Sequence, residues 1–419
     1  MSEKPSIAII GTGISGLACA HFLQRDYELT LFEKDNRIGG HSHTVTVPED
    51  GNNLPLDTGF MVYNEVTYPH LTRLFKELAV ETKPTAMSFS VQHLGDGIEF
   101  NGGSLNLLFS QRKNLLSPRF WKMLLQINRF NKETIDELAN PAFGDLSLVE
   151  YVEKRGYGAD MLQWYLSPMA AAVWSSPPER IQNFPARTLM RFWHNHGFLG
   201  LDTQHPWRTV SGGSREYVKK VTAPFADRII KNNPVRAVLE KRLILNDGSS
   251  HSFDKIILAS HADQSLSLLA SPTSLEHSIL ENFHYQPNTA VVHTDPKFMP
   301  RTERAWASWN YRISQQGNHS THYWMNSLQG VSEKTNYFVS INPPEEIPEE
   351  KVLHTLQYEH PIFDSPAIAA QSRIGELHTA GHRTGHYYCG AWQANGFHED
   401  GIRSAHTLCW EILNRDPWE

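Results

Sequence analysis

The period of the apolar positions changes twice within the first 33 residues. Ser6 to Ile10 reads as a buried strand, its apolar run Ile7 to Ile10 being continuous, as expected of a strand covered on both faces. Ser15 to Gln24 then reads as a helix, and Tyr27 to Glu33, "YELTLFE", as a second strand ending in an acid. Between the first strand and the helix lie Gly11, Gly13 and Gly16, so the pattern is strand, glycine turn, helix, strand. Residues 6–23 have a competing reading as a secretory signal peptide, an apolar run closed by Ala18-Cys19-Ala20. Two features count against it. Glu3 cancels Lys4 ahead of the run, and three glycines each cost up to about 1 kcal/mol in a helix interior.

Apolar alternation returns later in the chain. "RIIKNNPVRAVLEKRLILNDGSSHSFDKIILAS" alternates around the turn Asn246-Asp247-Gly248, which predicts a hairpin, and Ile256 to Ser260 end a buried strand. Tyr387 to Gly390 read as a further strand. From Gly401 onward Ile402, Ala405, Leu408, Cys409 and Ile412 share one helical face.

The glycine spacing has a mechanism. Gly11 permits the turn, Gly13 lets the backbone approach a pyrophosphate, and Gly16 lets helix and strand pack closely, with Ile14 and Ser15 opening the helix toward the phosphates. Glu33 lies 22 residues after Gly11, where a carboxylate accepts hydrogen bonds from an adenosine ribose and disfavours a 2′-phosphate. These residues predict a dinucleotide site.

After Glu33 the chain reads "KDNRIGGHSHTV", in which Glu33, Arg37, Gly39 and Gly40 continue the motif instead of entering the next helix. The arrangement resembles the FAD-binding signature of the amine oxidase and phytoene desaturase superfamily. Three more blocks resemble it in the same order: "LDTGFMVYN" at 56–64, "RTVSGGSREYVKKV" with Gly212-Gly213, and "YYCGAWQANGFHEDGIRSAHTLCWEIL" near the end. The resemblance covers roughly 5–64, 205–270 and 380–415.

It implies non-covalent FAD, held by Lys34, Arg37 and His41 beside Gly39-Gly40, by Val235 at the adenine, and by Thr58, Gly59, Phe60 and Met61 beside the isoalloxazine. Gly390 and an amide near Gly401 and Ile402 would meet the flavin pyrimidine edge and stabilise negative charge there. Three departures stand out. Ala391 replaces an acid, which Asp400 or Glu399 would have to supply, the segment 396–401 is one residue longer than in amine oxidases, and His41 replaces an arginine.

The implied fold is α/β, a discontinuous Rossmann-like FAD-binding domain (1–64, 205–284 and 379–419) with an inserted α+β substrate domain (65–204 and 285–378). The insert is rich in aromatics, including Trp164, Tyr165, Trp174, Phe192, Trp193, Trp306, Trp309, Tyr311, Tyr323 and Trp324. Any one of them is more often core, but together they favour an apolar pocket opposite the flavin. Trp392 and Phe397, flanking the closing motif, join Trp174, Trp309 and Trp324 as its expected walls. Tyr63, His398 and Glu399 adjoin flavin motifs and are the candidate acid–base groups.

Composition excludes several classes. A formal charge of −7 over 419 residues gives no support for a nucleic-acid partner. Cys19, Cys389 and Cys409 are few, odd in number and far apart, which fits a reducing, cytoplasmic setting and makes Cys389 an inert core thiol. His41/His43 and His194/His196 lack neighbouring ligands at metal spacing, so no metal is expected. From Phe100 to Lys132 no acid occurs, while six cations interleave with leucines and aromatics. That segment is either a helix with its apolar face in the core or one lying on an anionic bilayer at the inner membrane face.

The leading expectation is an FAD-dependent desaturase or oxidase of a hydrophobic, lipid or fatty-acyl substrate. Amine oxidase, flavin mutase or isomerase, and non-catalytic flavin-binding partner stay open as alternatives.

Overall fold

The computed structural model describes residues 4–140, 146–174, 176–200 and 203–419. Its cofactor half is built on a five-stranded parallel sheet, ordered Ile229–Lys231, Glu28–Glu33, Ser6–Ile10, Lys255–Leu258, His386–Tyr388. Ser6–Ile10 sits in the middle, which explains its unbroken apolar run. The helix Ile14–Leu23 is apolar all round because it lies between this sheet and the last helix, His398–Leu413. That packing brings together cysteines far apart in sequence: Cys19 Sγ is 3.6 Å from Cys389 Sγ, and all three thiols are buried.

The hairpin expected at Asn246-Asp247-Gly248 joins Arg242–Leu245 to Ser250–Ser252 in a three-stranded antiparallel sheet. The closing helix departs from expectation. It begins at His398 rather than Gly401, Gly401 N already donates to Phe397 O at 3.0 Å, and Ile402 is fully buried. Free amides therefore belong to the turn His398–Asp400, three residues earlier than the apolar periodicity marks.

Facing this half is a seven-stranded sheet ordered Val352–Ile362, His284–His293, Phe338–Ile341, His319–Trp324, Trp309–Ile313, Phe89–His93, Ile98–Asn101. Helices Pro118–Ala139, Leu148–Arg155, Ser167–Trp174 and Ala186–Asn195 pack beside it. In this sheet Trp309 is opposite Tyr323, and Tyr323 opposite Val339, so these three share one face, while Trp324 opposite Phe338 is on the other.

The two halves meet at Asp57. Its buried carboxylate accepts from Ser214 N at 2.9 Å, from Ser214 Oγ at 2.7 Å, from Thr44 Oγ1 at 2.5 Å and from Gln329 Nε2 at 2.6 Å. A residue of the Asp-x-Gly block thus ties the Gly-Gly block to a helix of the other half.

Candidate active site

One cavity of about 980 Å³ runs from the carboxyl end of the parallel sheet to the inner face of the large sheet. Its first section is lined by Gly11, Gly13, Ile14, Ser15, Glu33, Lys34, Arg37, Gly40 and His41, with Val235 alongside. The glycines shape it. A Cβ on Gly16 would fall 2.0 Å from Gly11 O, whereas a Cβ on Gly13 would meet nothing within 4 Å, so Gly13 looks onto open space at a helix N-terminus. Glu33 receives Thr12 N at 3.2 Å and Asp35 N at 3.1 Å and still borders the cavity.

His41 stands where its ring meets Tyr358 at 5.1 Å, His360 at 5.4 Å and His261 at 6.4 Å between centroids, and its Nε2 has no partner. Burial, reinforced by Arg37, lowers His41 to about 4, and burial lowers His261 and His360 to about 3. All three rings are neutral. Among the described residues no group of three or more His, Cys, Asp or Glu is arranged to hold a metal.

Thr58, Gly59, Phe60 and Met61 line the middle of the cavity, across from Gly390, Ala391 and His398. His398 stacks on Phe60 at 3.8 Å, and its Nε2 is 2.9 Å from Ser42 Oγ and 3.0 Å from Tyr217 OH. Burial pushes it down to about 3, which leaves a neutral, immobilised ring.

Beyond lies an aromatic chamber walled by Trp174, Phe192, His196, Phe198, Trp207, Trp309, Tyr323 and Phe397. Phe192 stacks on Phe397 at 5.1 Å and on His196 at 4.0 Å. His196 Nδ1 lies 2.9 Å from Phe192 O, so Nδ1 carries the proton and Nε2 the lone pair.

Several expected site residues stand elsewhere. Trp324 is on the outer face of the sheet, its Nε1 donating to Asn336 Oδ1 at 2.9 Å, and Tyr323 takes the inward position. A strand alternates with period two, so a one-residue error in phase exchanges the faces. Glu399 lies off the cavity, accepting His70 N at 3.1 Å and Leu71 N at 3.0 Å, and so caps the helix Pro69–Glu77; burial raises it to about 7.

Asp400 binds Asn395 N and Phe397 N, each at 3.1 Å, and it too is absent from the cavity wall. Tyr63 is buried outside the cavity against Thr82 Oγ1 at 3.3 Å. Gly39, Gly401 and Ile402 support the wall from behind; a Cβ on Gly401 would press Ile14 Cγ2 at 2.7 Å. Trp392 borders the cavity but packs on Phe283 at 4.6 Å, under the parallel sheet rather than in the chamber. His196, Phe198, Trp207 and Met87 escape sequence reasoning, because single side chains in an insert carry no periodic signal.

The sequence profile of the flavin-containing amine oxidoreductases matches residues 14–357. The chain belongs to that family. Its cofactor is accordingly FAD, and the residues present fit one: a helix N-terminus over an unobstructed glycine, a carboxylate beside the sheet end, and an unpartnered imidazole nitrogen between them.

The Arabidopsis thaliana protein named "Probable polyamine oxidase 4" is 27% identical over 182 residues, 40% of this chain and 34% of its own length. The chain thus spans about a third of that curated relative. Among solved structures, cyclohexylamine oxidase from Brevibacterium oxydans aligns with a TM-score of 0.68 at 15% identity over 98% of this chain and 100% of its own. A CLA-producing fatty acid isomerase from P. acnes aligns at 0.67 and 13% over 99% of both chains. At these identities the likeness is one of fold.

Proposed function

We propose that this flavoprotein oxidises an apolar substrate, of lipid or fatty-acyl type, by removing hydrogen from a carbon–carbon bond. The observation that carries this is the chamber wall. Beyond Phe60 it contains aromatic and aliphatic side chains with no carboxylate and no lysine; the cavity's charged residues, Glu33, Lys34, Asp35, Arg37 and Glu359, line its other section. A cationic amine would enter without a counter-charge, whereas a hydrocarbon chain gains about 25 cal/mol for each Å² it buries.

We assign residues 1–64, 205–284 and 379–419 to the FAD-binding domain and 65–204 and 285–378 to the substrate domain. Glu33 and Val235 hold the adenosine, Gly13, Gly40 and His41 the pyrophosphate, and Thr58 to Met61 with Gly390 the ring. When bound, FAD supplies the acceptor for the hydride that leaves one substrate carbon. The adjacent carbon loses a proton, and His196 Nε2 takes it, leaving a carbon–carbon double bond. Hydrogen bonding to Phe192 O fixes the proton on Nδ1 and the lone pair on Nε2; that bond raises the ring's affinity for a second proton, but burial outweighs it and lowers the affinity. The neutral His398, clamped by Ser42 and Tyr217, adds no charge to the ring edge.

The amine-oxidase alternative keeps one specific support, the parallel Phe192–Phe397 pair, which has the form of half a cation cage. Anaerobic mixing of the holoprotein with extracted membrane lipid, and separately with mono- and polyamines, decides between them. Bleaching of the flavin by lipid alone supports the proposal, and bleaching by amines alone replaces it.

A further inference from the structure

The segment 100–132 has both an inner and an outer apolar face. Inside, the helix Pro118–Ala139 buries Phe120, Met123 and Phe130. The core reading is therefore satisfied by these residues, yet large apolar side chains remain outside. Leu116 is 89% exposed, Leu125 67% and Leu105 66%, with Leu115 and Trp121 also exposed.

These five are held as a rigid surface. Trp121 Nε1 donates to Leu115 O at 2.9 Å, which fastens the helix to the 3₁₀ turn Arg112–Leu116, and its ring packs on Phe109 at 5.0 Å. Arg112 donates to Asn106 Oδ1 at 2.7 Å and to Phe109 O at 3.1 Å, which fastens that turn to the helix carrying Leu105. The leucines stand on the short helix Leu105–Leu108, on the 3₁₀ turn Arg112–Leu116 and on the helix Pro118–Ala139.

Charge selects the occupant. Arg119 is neutralised by Asp160 and Asp96, and Arg129 by Glu133. Arg112, Lys113, Lys122 and Lys132 form no ion pair with any described residue. Four exposed cations without a carboxylate partner, beside exposed leucines and a tryptophan on a chain whose formal charge is −7, fit an anionic lipid surface.

We infer that the face formed by Leu105, Leu115, Leu116, Trp121 and Leu125 docks this protein peripherally on an anionic bilayer. The placement serves an acyl substrate, and in that respect rests on the proposed function. Phe130, on the inner side of the same helix, meets Trp193 at 5.8 Å, and Trp193 shares its helix with Phe192 of the chamber wall. One helix separates the docking face from the chamber.

The test is co-sedimentation of the holoprotein with vesicles of phosphatidylcholine alone and with about 30% phosphatidylglycerol. Binding should require the anionic lipid, weaken as salt rises, and fall about tenfold or more in Leu116→Glu/Leu125→Glu and in Lys113→Gln/Lys122→Gln/Lys132→Gln. Flavin content and melting temperature should be unchanged in both variants, and flavin reduction by detergent-dispersed lipid should match the unsubstituted protein.

Vesicle binding without lipid turnover would retain the dock and remove the substrate assignment, so the two claims fail separately. The inference is overturned by absence of vesicle binding, by binding that the substitutions leave intact, or by a dimer that Leu116→Glu dissociates while vesicles remain unbound.

Discussion

The two sheets of this molecule are unequally visible in its sequence. The parallel sheet carries its function in the backbone: a glycine turn, a helix N-terminus and a strand-end carboxylate. Those demands fall on residue types at fixed spacing, so Gly11, Gly13, Gly16 and Glu33 announce themselves. The seven-stranded sheet contributes to the cavity only side chains that could be exchanged for other apolar ones, and nothing in its spacing says which face looks inward. Chemistry that binds a fixed cofactor is written in motifs, and chemistry that selects a substrate is written in packing.

Cutting the tie between the two halves should have the largest effect. Asp57→Ala removes the shared acceptor of Ser214 N, Ser214 Oγ, Thr44 Oγ1 and Gln329 Nε2 and leaves the buried Ser214 N–H without a partner, at a cost of about 3–5 kcal/mol. Chemical denaturation should show that loss, and the purified protein should lose flavin with it.

Next in size is a change confined to the chamber. His196→Gln removes the proposed proton acceptor and should lower the rate of flavin reduction about 100-fold while FAD content and lipid affinity stay the same. Single-turnover stopped-flow kinetics measures this, and an unchanged rate would return His196 to a purely packing role.

A smaller effect separates support from chemistry at Glu399. Its folded value of about 7 lies above its ordinary value of 4.5, so the folded state retains a proton that the unfolded chain gives up, and stability is lost as pH rises from 4.5 through 7. Between about pH 5 and pH 8 the unsubstituted protein should therefore lose about 2–3 kcal/mol more stability than Glu399→Gln. Flavin reduction should be little altered by that substitution.

The smallest effect concerns Trp324. Trp324→Ala should leave flavin reduction unchanged within about twofold, while Tyr323→Ala on the neighbouring residue should weaken lipid binding by about 1–2 kcal/mol. If the two exchanged their effects, the assignment of the sheet faces would be reversed.

Legibility follows the same division within single motifs. The strand Ser6–Ile10 is readable to the residue, because glycine comes directly after it and its apolar run is unbroken. The closing helix starts three residues before its apolar stripe: His398, Glu399 and Asp400 are polar side chains in its first turn, and apolar periodicity cannot register a turn that has none. Glu399 draws attention through its position beside a flavin motif, yet its two oxygens face the start of another helix 328 and 329 residues away in the chain. The basic segment 100–132 is not one helix but a strand end, a short helix, a 3₁₀ turn and the start of the helix Pro118–Ala139, and it fits both core and membrane readings because it carries apolar residues on both sides; only exposure separates them.

The most direct measurement is the absorbance of the bound flavin during anaerobic titration with defined lipids and amines. The expected result is a yellow protein with one FAD per chain whose flavin is reduced by an unsaturated or branched acyl lipid and not by amines. A colourless chain that takes up no FAD on reconstitution, or a flavin reduced by amines and untouched by lipid, would contradict it.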